Sequence, residues 1–266
     1  DLITDRELHE EGVDSIRDYK ALCTGSHPEY HTPQTLDALQ NYRDQGGRLV
    51  YLGGNGFYWK IALSPEDPEL IEIRRGESGI RAWAAEPGEY YHSFDGSYGG
   101  LWRRNGRPPQ LLAGVGFSAQ GKFEGSYYRR TAESRAPDLA WMFEGIEDQE
   151  ILGDFGFSGG GAAGFELDRA DVRLGTPKEV RVVASSENHT SSFVLVPEEM
   201  LTHITNWPGE EEQQKLIRSD IVYFQTPSGG EVFSTGSITF CGSLPWNDFD
   251  NNISRLLENV IRHFLQ

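Results

Sequence analysis

His27-Pro28-Glu29 places an imidazole and a carboxylate two positions apart, with a proline between them. Proline restricts the residue before it to extended backbone, and side chains two apart on extended chain point the same way. A carboxylate there suits a hard metal ion, and the imidazole suits a proton carrier or a partner to a metal ligand. The plainer reading is a histidine that caps a turn beside a solvated glutamate. Asn55 follows Gly53-Gly54, and glycines let backbone approach a ligand closely. Its amide can orient a water or a substrate carbonyl, or it can simply fill the left-handed turn position that asparagine tolerates. Further on, the glycine-rich run 159–164 leads into Phe165-Glu166-Leu167-Asp168. In form it matches G-x-G-x-x-G, but no helical pattern follows, so a dinucleotide is rejected. A crowded backbone of this kind can deliver Glu166 to a crevice, or it can be a plain loop with a surface glutamate.

These positions need a scaffold that joins remote loops. Residues 20–24 read as a short buried strand. Thr32 and Pro33 suit a helix cap and first helical position, Leu36, Leu39 and Tyr42 share a helical face, and Gly46-Gly47 ends it. Residues 48–52 read as a second strand. Parallel strands joined by a right-handed helical crossover finish on one edge of the sheet, and ligands bind outside those carboxyl ends. His27, Glu29 and Asn55 are therefore expected to face one crevice.

Before this unit, Leu2-Ile3 reads as a strand remnant followed by a short amphipathic helical turn, an abrupt start expected of the later part of a longer polypeptide. From residue 57 to about 130 the helical period vanishes. Short runs at 70–74, 79–84 and 114–117 are separated by Gly and Pro and interleaved with Trp83, Tyr90, Tyr91, Trp102, Tyr127 and Tyr128. This reads as a β-rich insertion lobe, taken as about residues 60–150, that covers the crevice. Strands are expected at 140–145, 150–154, 181–185, 193–196, 221–225 and 237–240, and helices at 198–206 and 208–219. A closing helix is expected where Ile253, Leu256, Leu257, Val260, Ile261 and Phe264 keep one buried face after caps at 250–252. The whole reads as a single α/β domain with a doubly wound, mostly parallel sheet.

The totals narrow the function classes. A formal charge of -17 repels phosphate backbones, and no basic run interrupts it, which argues against nucleic acid. No apolar stretch has the roughly 18 residues of a membrane helix. Cys23 and Cys241 both lie in apolar runs and read as reduced core residues, which fits a cytoplasmic protein. No His/Cys zinc spacing occurs, and Ser26 and His27 are too close in sequence to act as nucleophile and base. Tyr30 and Tyr58 flank the two strand ends; phenolates bind ferric iron, although ring packing is their ordinary role. Glu144 and Glu150 offer a carboxylate pair for a glycosidase, with the aromatic lobe as a sugar platform.

GSHPEY (25–30), LGGNGFYW (52–59), GGGAAGFELDR (159–169), EVFSTGS (231–237) and FCGSLPWN with DNNISRLLENVIRHF (240–247, 250–264) together resemble the large (beta) subunit of N,N-dimethylformamidase. The likeness is to its C-terminal region, of class I glutamine-amidotransferase-like fold, and it runs over essentially the whole chain. It implies an amidohydrolase that uses mononuclear ferric iron to cleave small N-substituted formamides to formate and an amine. The implied ligands are one glutamate and two tyrosinates. The His-x-Glu pattern falls on His27 and Glu29, making Glu29 the carboxylate ligand and His27 its neighbour, while the downstream asparagine falls on Asn55 and the later active-site glutamate on Glu166. Where amidotransferases carry a cysteine nucleophile, Gly54-Asn55 stand instead, so no covalent thiol route is expected. The family's tyrosine ligands lie upstream of His-x-Glu, where only Tyr19 is found here. They are expected in a preceding part of the polypeptide, with Tyr30 and Tyr58 as weak substitutes, and this chain alone is expected to bind little iron. Implied partners are that N-terminal remainder, a small accessory subunit and further copies in a homo-oligomer. The rival readings are a metal-free binding module that keeps the shell of the fold, and the carbohydrate-active protein.

Overall fold

The computed structural model describes residues 1–67, 69–75, 86–196 and 209–266. Its frame is the unit expected from sequence: β1 (Ala21–Cys23), β2 (Tyr30–His31), α2 (Pro33–Asp44) and β3 (Arg48–Tyr51). The Thr32 side chain accepts the Thr35 N–H at the helix start, Pro33 takes the first turn, and Leu36, Leu39 and Tyr42 are buried. Ahead of it, Thr4 and Glu7 form a reciprocal capping box for α1 (Asp5–Glu11). That box claims the start of the chain, so the strand expected at Leu2-Ile3 does not form and Leu2 is fully exposed.

The remaining strands are β4 (Trp59–Leu63), β5 (Ile71–Ile73), β6 (Gly116–Arg130), β7 (Ala163–Arg169), β8 (Arg181–Glu187), β9 (Val194–Leu195), β10 (Asp220–Gln225) and β11 (Glu231–Ser234). The large sheet runs β1-β3-β11-β10-β8-β6-β7, with β9 beside β6; β2-β4-β5 make a separate small sheet. Pairing is parallel at β1–β3 and β3–β11, and antiparallel from β11 through β10, β8 and β6 to β7. The fold is thus mixed α/β, and the expectation of a mostly parallel sheet is corrected. A turn as short as that between Gln225 and Glu231 can return only an antiparallel strand. Within the stretch read as an insertion lobe, β4 and β5 belong to the small sheet, whereas β6 is an inner strand of the large one.

Alternation along the strands builds two cores. Leu49, Tyr51, Val222, Phe224 and Val232 face α1 and α2 with Leu8, Leu36, Leu39 and Tyr42. Val50, Leu52, Ile221, Tyr223 and Phe233 face the C-terminal helix Asn252–Phe264, whose Ile253, Leu256, Val260 and Phe264 are fully buried. Helices therefore cover both faces of the sheet, as period-2 strands buried on both sides require. The C-terminal helix is as expected, capped by Asn251 onto Ser254 N–H.

Three further expectations change. Residues 140–143 are part of a 3-10 helix, Pro137–Phe143, and 144–145 form the turn after it, because Pro137 presets the first turn and a short apolar run carries no period of its own. Only Leu152 of 150–154 bridges a strand, at Tyr128. The strand near 237–240 lies earlier, at β11: Gly236 turns into left-handed backbone (φ +68°), after which Phe240–Ser243 is helical. Residues 79–84 with Trp83, and the helix expected at 198–206, lie outside the described residues; the polar helix after them is Glu210–Leu216. Cys241 packs with its sulfur 3.4 Å from the Leu52 carbonyl, but Cys23 is exposed, at an edge strand rather than in the core. No helix of the described residues is long and apolar enough to cross a membrane.

Candidate active site

Beyond β1 and β3 the two connecting loops lie against each other. Pro28 O accepts the Phe57 N–H at 2.7 Å, and Glu29 O accepts those of Tyr58 and Trp59 at 3.0 and 2.9 Å. The Glu29 N–H folds back onto His27 O at 3.0 Å, so Pro28 sits at the apex of a tight turn. Underneath, buried His31 sets Nε2 2.9 Å from Pro28 O and holds the turn from below. Burial keeps its pKa below the ordinary histidine value, so it serves here as a neutral strut.

Two glycines make the convergence sterically feasible. A β-carbon on Gly53 would come within 2.5 Å of Ser26 O, and one on Gly54 within 2.6 Å of Glu166 O. The loop after β3 therefore nests between the loop after β1 and strand β7. Asn55 follows in left-handed backbone (φ +50°), a conformation asparagine bears better than most residues.

Side chains from three separate segments meet there. Asn55 Nδ2 donates to Glu29 Oε1 at 3.0 Å and lies 3.5 Å from His27 Nε2. The same imidazole nitrogen stands 3.3 Å from Glu29 Oε2 and 3.2 Å from Glu166 Oε2. The His27 side chain is 37% exposed against 14% and 13% for the two glutamates, so the imidazole is the solvent-facing member. The close approach of the Glu166 carboxylate raises the His27 pKa above the usual histidine value; burial opposes this, and the charges of Glu29 and Asp168 add to it. Burial raises the Glu29 pKa, and the Glu166 charge reinforces it, against the lowering effects of His27, Arg75 and the Asn55 hydrogen bond. Asn55 is 3% exposed and its Oδ1 has no hydrogen-bond partner among the described residues. Buried acceptors are nearly always paired, so this one marks room for a donor from outside the chain.

The structure thus brings together His27, Glu29, Asn55 and Glu166. Glu166 reaches the others because β7, at one end of the large sheet, crosses the carboxyl end of β11: Leu167 bridges Ser237, and Asp168 N–H bonds Gly236 O at 2.8 Å. Two residues that the sequence reading passed over also belong here. Asp168, fully buried, accepts Asn55 N–H at 2.7 Å and the Tyr51 hydroxyl at 2.9 Å. The signal available in sequence was the spacing of Glu166 and Asp168, two apart on a strand and hence on one face.

The tyrosines stand differently. Tyr30 is part-exposed and its hydroxyl accepts from Arg75, whose guanidinium lies over the Tyr30 and Trp59 rings. Burial and then the Glu29 charge push its pKa up, away from phenolate. Tyr58 is buried in an apolar cluster with Trp59, Leu101, Phe117 and Val196. Glu144 is exposed, and Glu150 spends its oxygens on Asn252 Nδ2 and Glu147 N–H beside the C-terminal helix, away from the loops described above. Among the described residues no set of three or more His, Cys, Asp or Glu is disposed around a metal ion. The donor set fits iron only in part: Glu29, beside His27 and Asn55, could supply one ligand.

Comparison with known proteins places the chain in a family. Residues 1–252 match the family described as N,N-dimethylformamidase beta subunit-like, C-terminal. Over all 266 residues the chain is 41% identical to the N,N-dimethylformamidase beta subunit of Alcaligenes sp and 42% identical to that of Paracoccus aminophilus. It spans about a third (34%) of the length of each. The chain belongs to the N,N-dimethylformamidase beta subunit-like family and corresponds to the C-terminal region of that subunit.

Proposed function

We propose that this chain contributes the proton-handling half of an amidohydrolase site that cleaves small N-substituted formamides to formate and an amine. The observation that carries this reading is the meeting of His27, Glu29, Asn55 and Glu166 from three separate segments, supported by the names of the relatives. Amide hydrolysis needs a base for the attacking water and an acid for the departing nitrogen. Glu166, whose Oε2 lies 3.2 Å from the His27 imidazole, can take a proton from water as the new C–O bond forms. The solvent-facing imidazolium can deliver one to the nitrogen as the C–N bond breaks, and the Glu166 proton then restores it. The unpaired Asn55 Oδ1 is an acceptor, which suits holding the attacking water better than holding an oxyanion. The raised pKa of His27 favours keeping its proton near neutral pH.

Mononuclear ferric iron is the proposed metal of the complete protein, with Glu29 as its one ligand from this chain and two tyrosinates from the polypeptide outside it. When bound, it would supply Lewis acidity at the substrate carbonyl. Assembly with the rest of the large subunit, with a small accessory subunit and as a homo-oligomer belongs to the same reading.

The test is to incubate the complete protein with N,N-dimethylformamide and to quantify formate and dimethylamine. Equal release of both, with iron content abolished in Glu29→Ala, supports the proposal. No release by an iron-loaded protein, or full iron and activity in Glu29→Ala, refutes it.

A further inference from the structure

The buried carboxylate of Asp168 holds the loop after β3, on which Asn55 lies, through its backbone. Its Oδ1 accepts the Asn55 N–H at 2.7 Å, and its Oδ2 accepts the Tyr51 hydroxyl at 2.9 Å. That hydroxyl in turn accepts the Gly56 N–H at 2.8 Å. The peptide groups on both sides of the left-handed Asn55 are thereby fixed from one carboxylate. Asp168 and Tyr51 are both fully buried, and burial, followed by the Asp168 charge, holds the Tyr51 pKa well above its ordinary value, so it remains a hydroxyl donor. The carboxylate is itself anchored: Asp168 N–H bonds Gly236 O, and Gly236 has left-handed backbone with no room for a β-carbon, which would lie 2.7 Å from Asp168 O.

Strand geometry adds the second half. Glu166 and Asp168 are two apart on β7, so one rigid strand presents both to the same side. Glu166 meets His27, while Asp168 meets the Asn55 turn. Gly54 completes the link by packing against the Glu166 carbonyl.

We infer that Asp168, with Tyr51, is a positioning residue: it sets the Asn55 side chain in register with Glu166, so that water held at Asn55 lies within reach of the base. This rests on the function proposed above. A carboxylate that accepts hydrogen bonds from two directions fixes a turn that a neutral acceptor would leave loose, and groups supporting a site in this way typically matter about 10- to 100-fold in activity.

The experiment is a double-mutant cycle on the complete protein, with formate release, iron content and melting temperature measured together. Asp168→Asn is expected to lower kcat about 10- to 100-fold with KM within about two-fold and iron retained, and to cost little further in an Asn55→Ala background. Equal losses in both backgrounds would mean that Asp168 only holds the fold together and would overturn the inference, as would an unchanged kcat. Should Asp168→Asn fail to fold, Tyr51→Phe decides: a smaller kcat loss that disappears with Asn55→Ala supports the link, and an unaltered kcat refutes it. Hydrogen exchange supplies a readout independent of amide cleavage. Faster exchange at the Asn55 and Gly56 amides in Tyr51→Phe is expected even if the wild-type protein cleaves no formamide, so failure of the functional reading and failure of the positioning role are distinguishable.

Discussion

Two glutamates withdrawn from solvent at opposite ends of the parallel strands carry pKa shifts of opposite sign. Glu231 opens β11, where Arg48 Nε lies 3.0 Å away, the Tyr223 hydroxyl donates to it and His263 Nε2 stands at 3.3 Å. Burial would raise its pKa, but the Tyr223 and Arg48 hydrogen bonds outweigh that and hold it below the usual value. Glu29 lies beyond β1 at the other end, with one amide and one shared imidazole as close partners and a second carboxylate nearby; its pKa is raised. The first end is a satisfied network that ties strands together. The second keeps charge under-compensated beside a solvent-facing imidazole, and such groups are where chemistry is to be sought.

Substitutions can break this contrast. Gly54→Ala should do the most damage to the crevice end, since its β-carbon would meet two backbone atoms, Glu166 O at 2.6 Å and Ile238 N at 2.9 Å. A loss of about 2–3 kcal/mol in urea unfolding is expected, together with loss of formate release by the complete protein. Glu231→Gln should cost about 1–2 kcal/mol through a weakened pairing of Arg48 and Tyr223, with the rate per folded molecule unchanged. Glu29→Gln should go the other way and slightly raise the melting temperature at neutral pH. A carboxyl with a raised folded-state pKa stabilises below its ordinary range and loses that contribution as pH rises through the folded value. Glu231, with a lowered pKa, contributes above the ordinary range and loses it as pH falls. Melting curves of the two variants against pH should therefore diverge from wild type in opposite directions near neutrality and draw closer in acid.

The sequence was most informative where a short segment decides its own structure. The Thr32-Pro33 start of α2, its Leu36, Leu39 and Tyr42 face, and the C-terminal helix all follow from local caps and period. The meeting of His27, Glu29 and Asn55 followed from the crossover topology alone, because parallel strands must end on one edge. Strand direction beyond β3 was not legible, since hydrophobic alternation is the same for parallel and antiparallel neighbours. Asp168 was passed over for a related reason: its partners, Tyr51 and Asn55, are over a hundred residues away in sequence, joined only by the crossing of β7 over β11. Upstream of residues 140–143, Pro137 outweighed their apolar content and gave a 3-10 helix.

The most direct test of the claim that the under-compensated end carries the chemistry is the rate of formate release by the complete protein bearing Glu166→Gln, an exchange that keeps shape and removes the base. A fall of about 10²- to 10⁴-fold at a nearly unchanged melting temperature is expected. A rate within two-fold of wild type would contradict it.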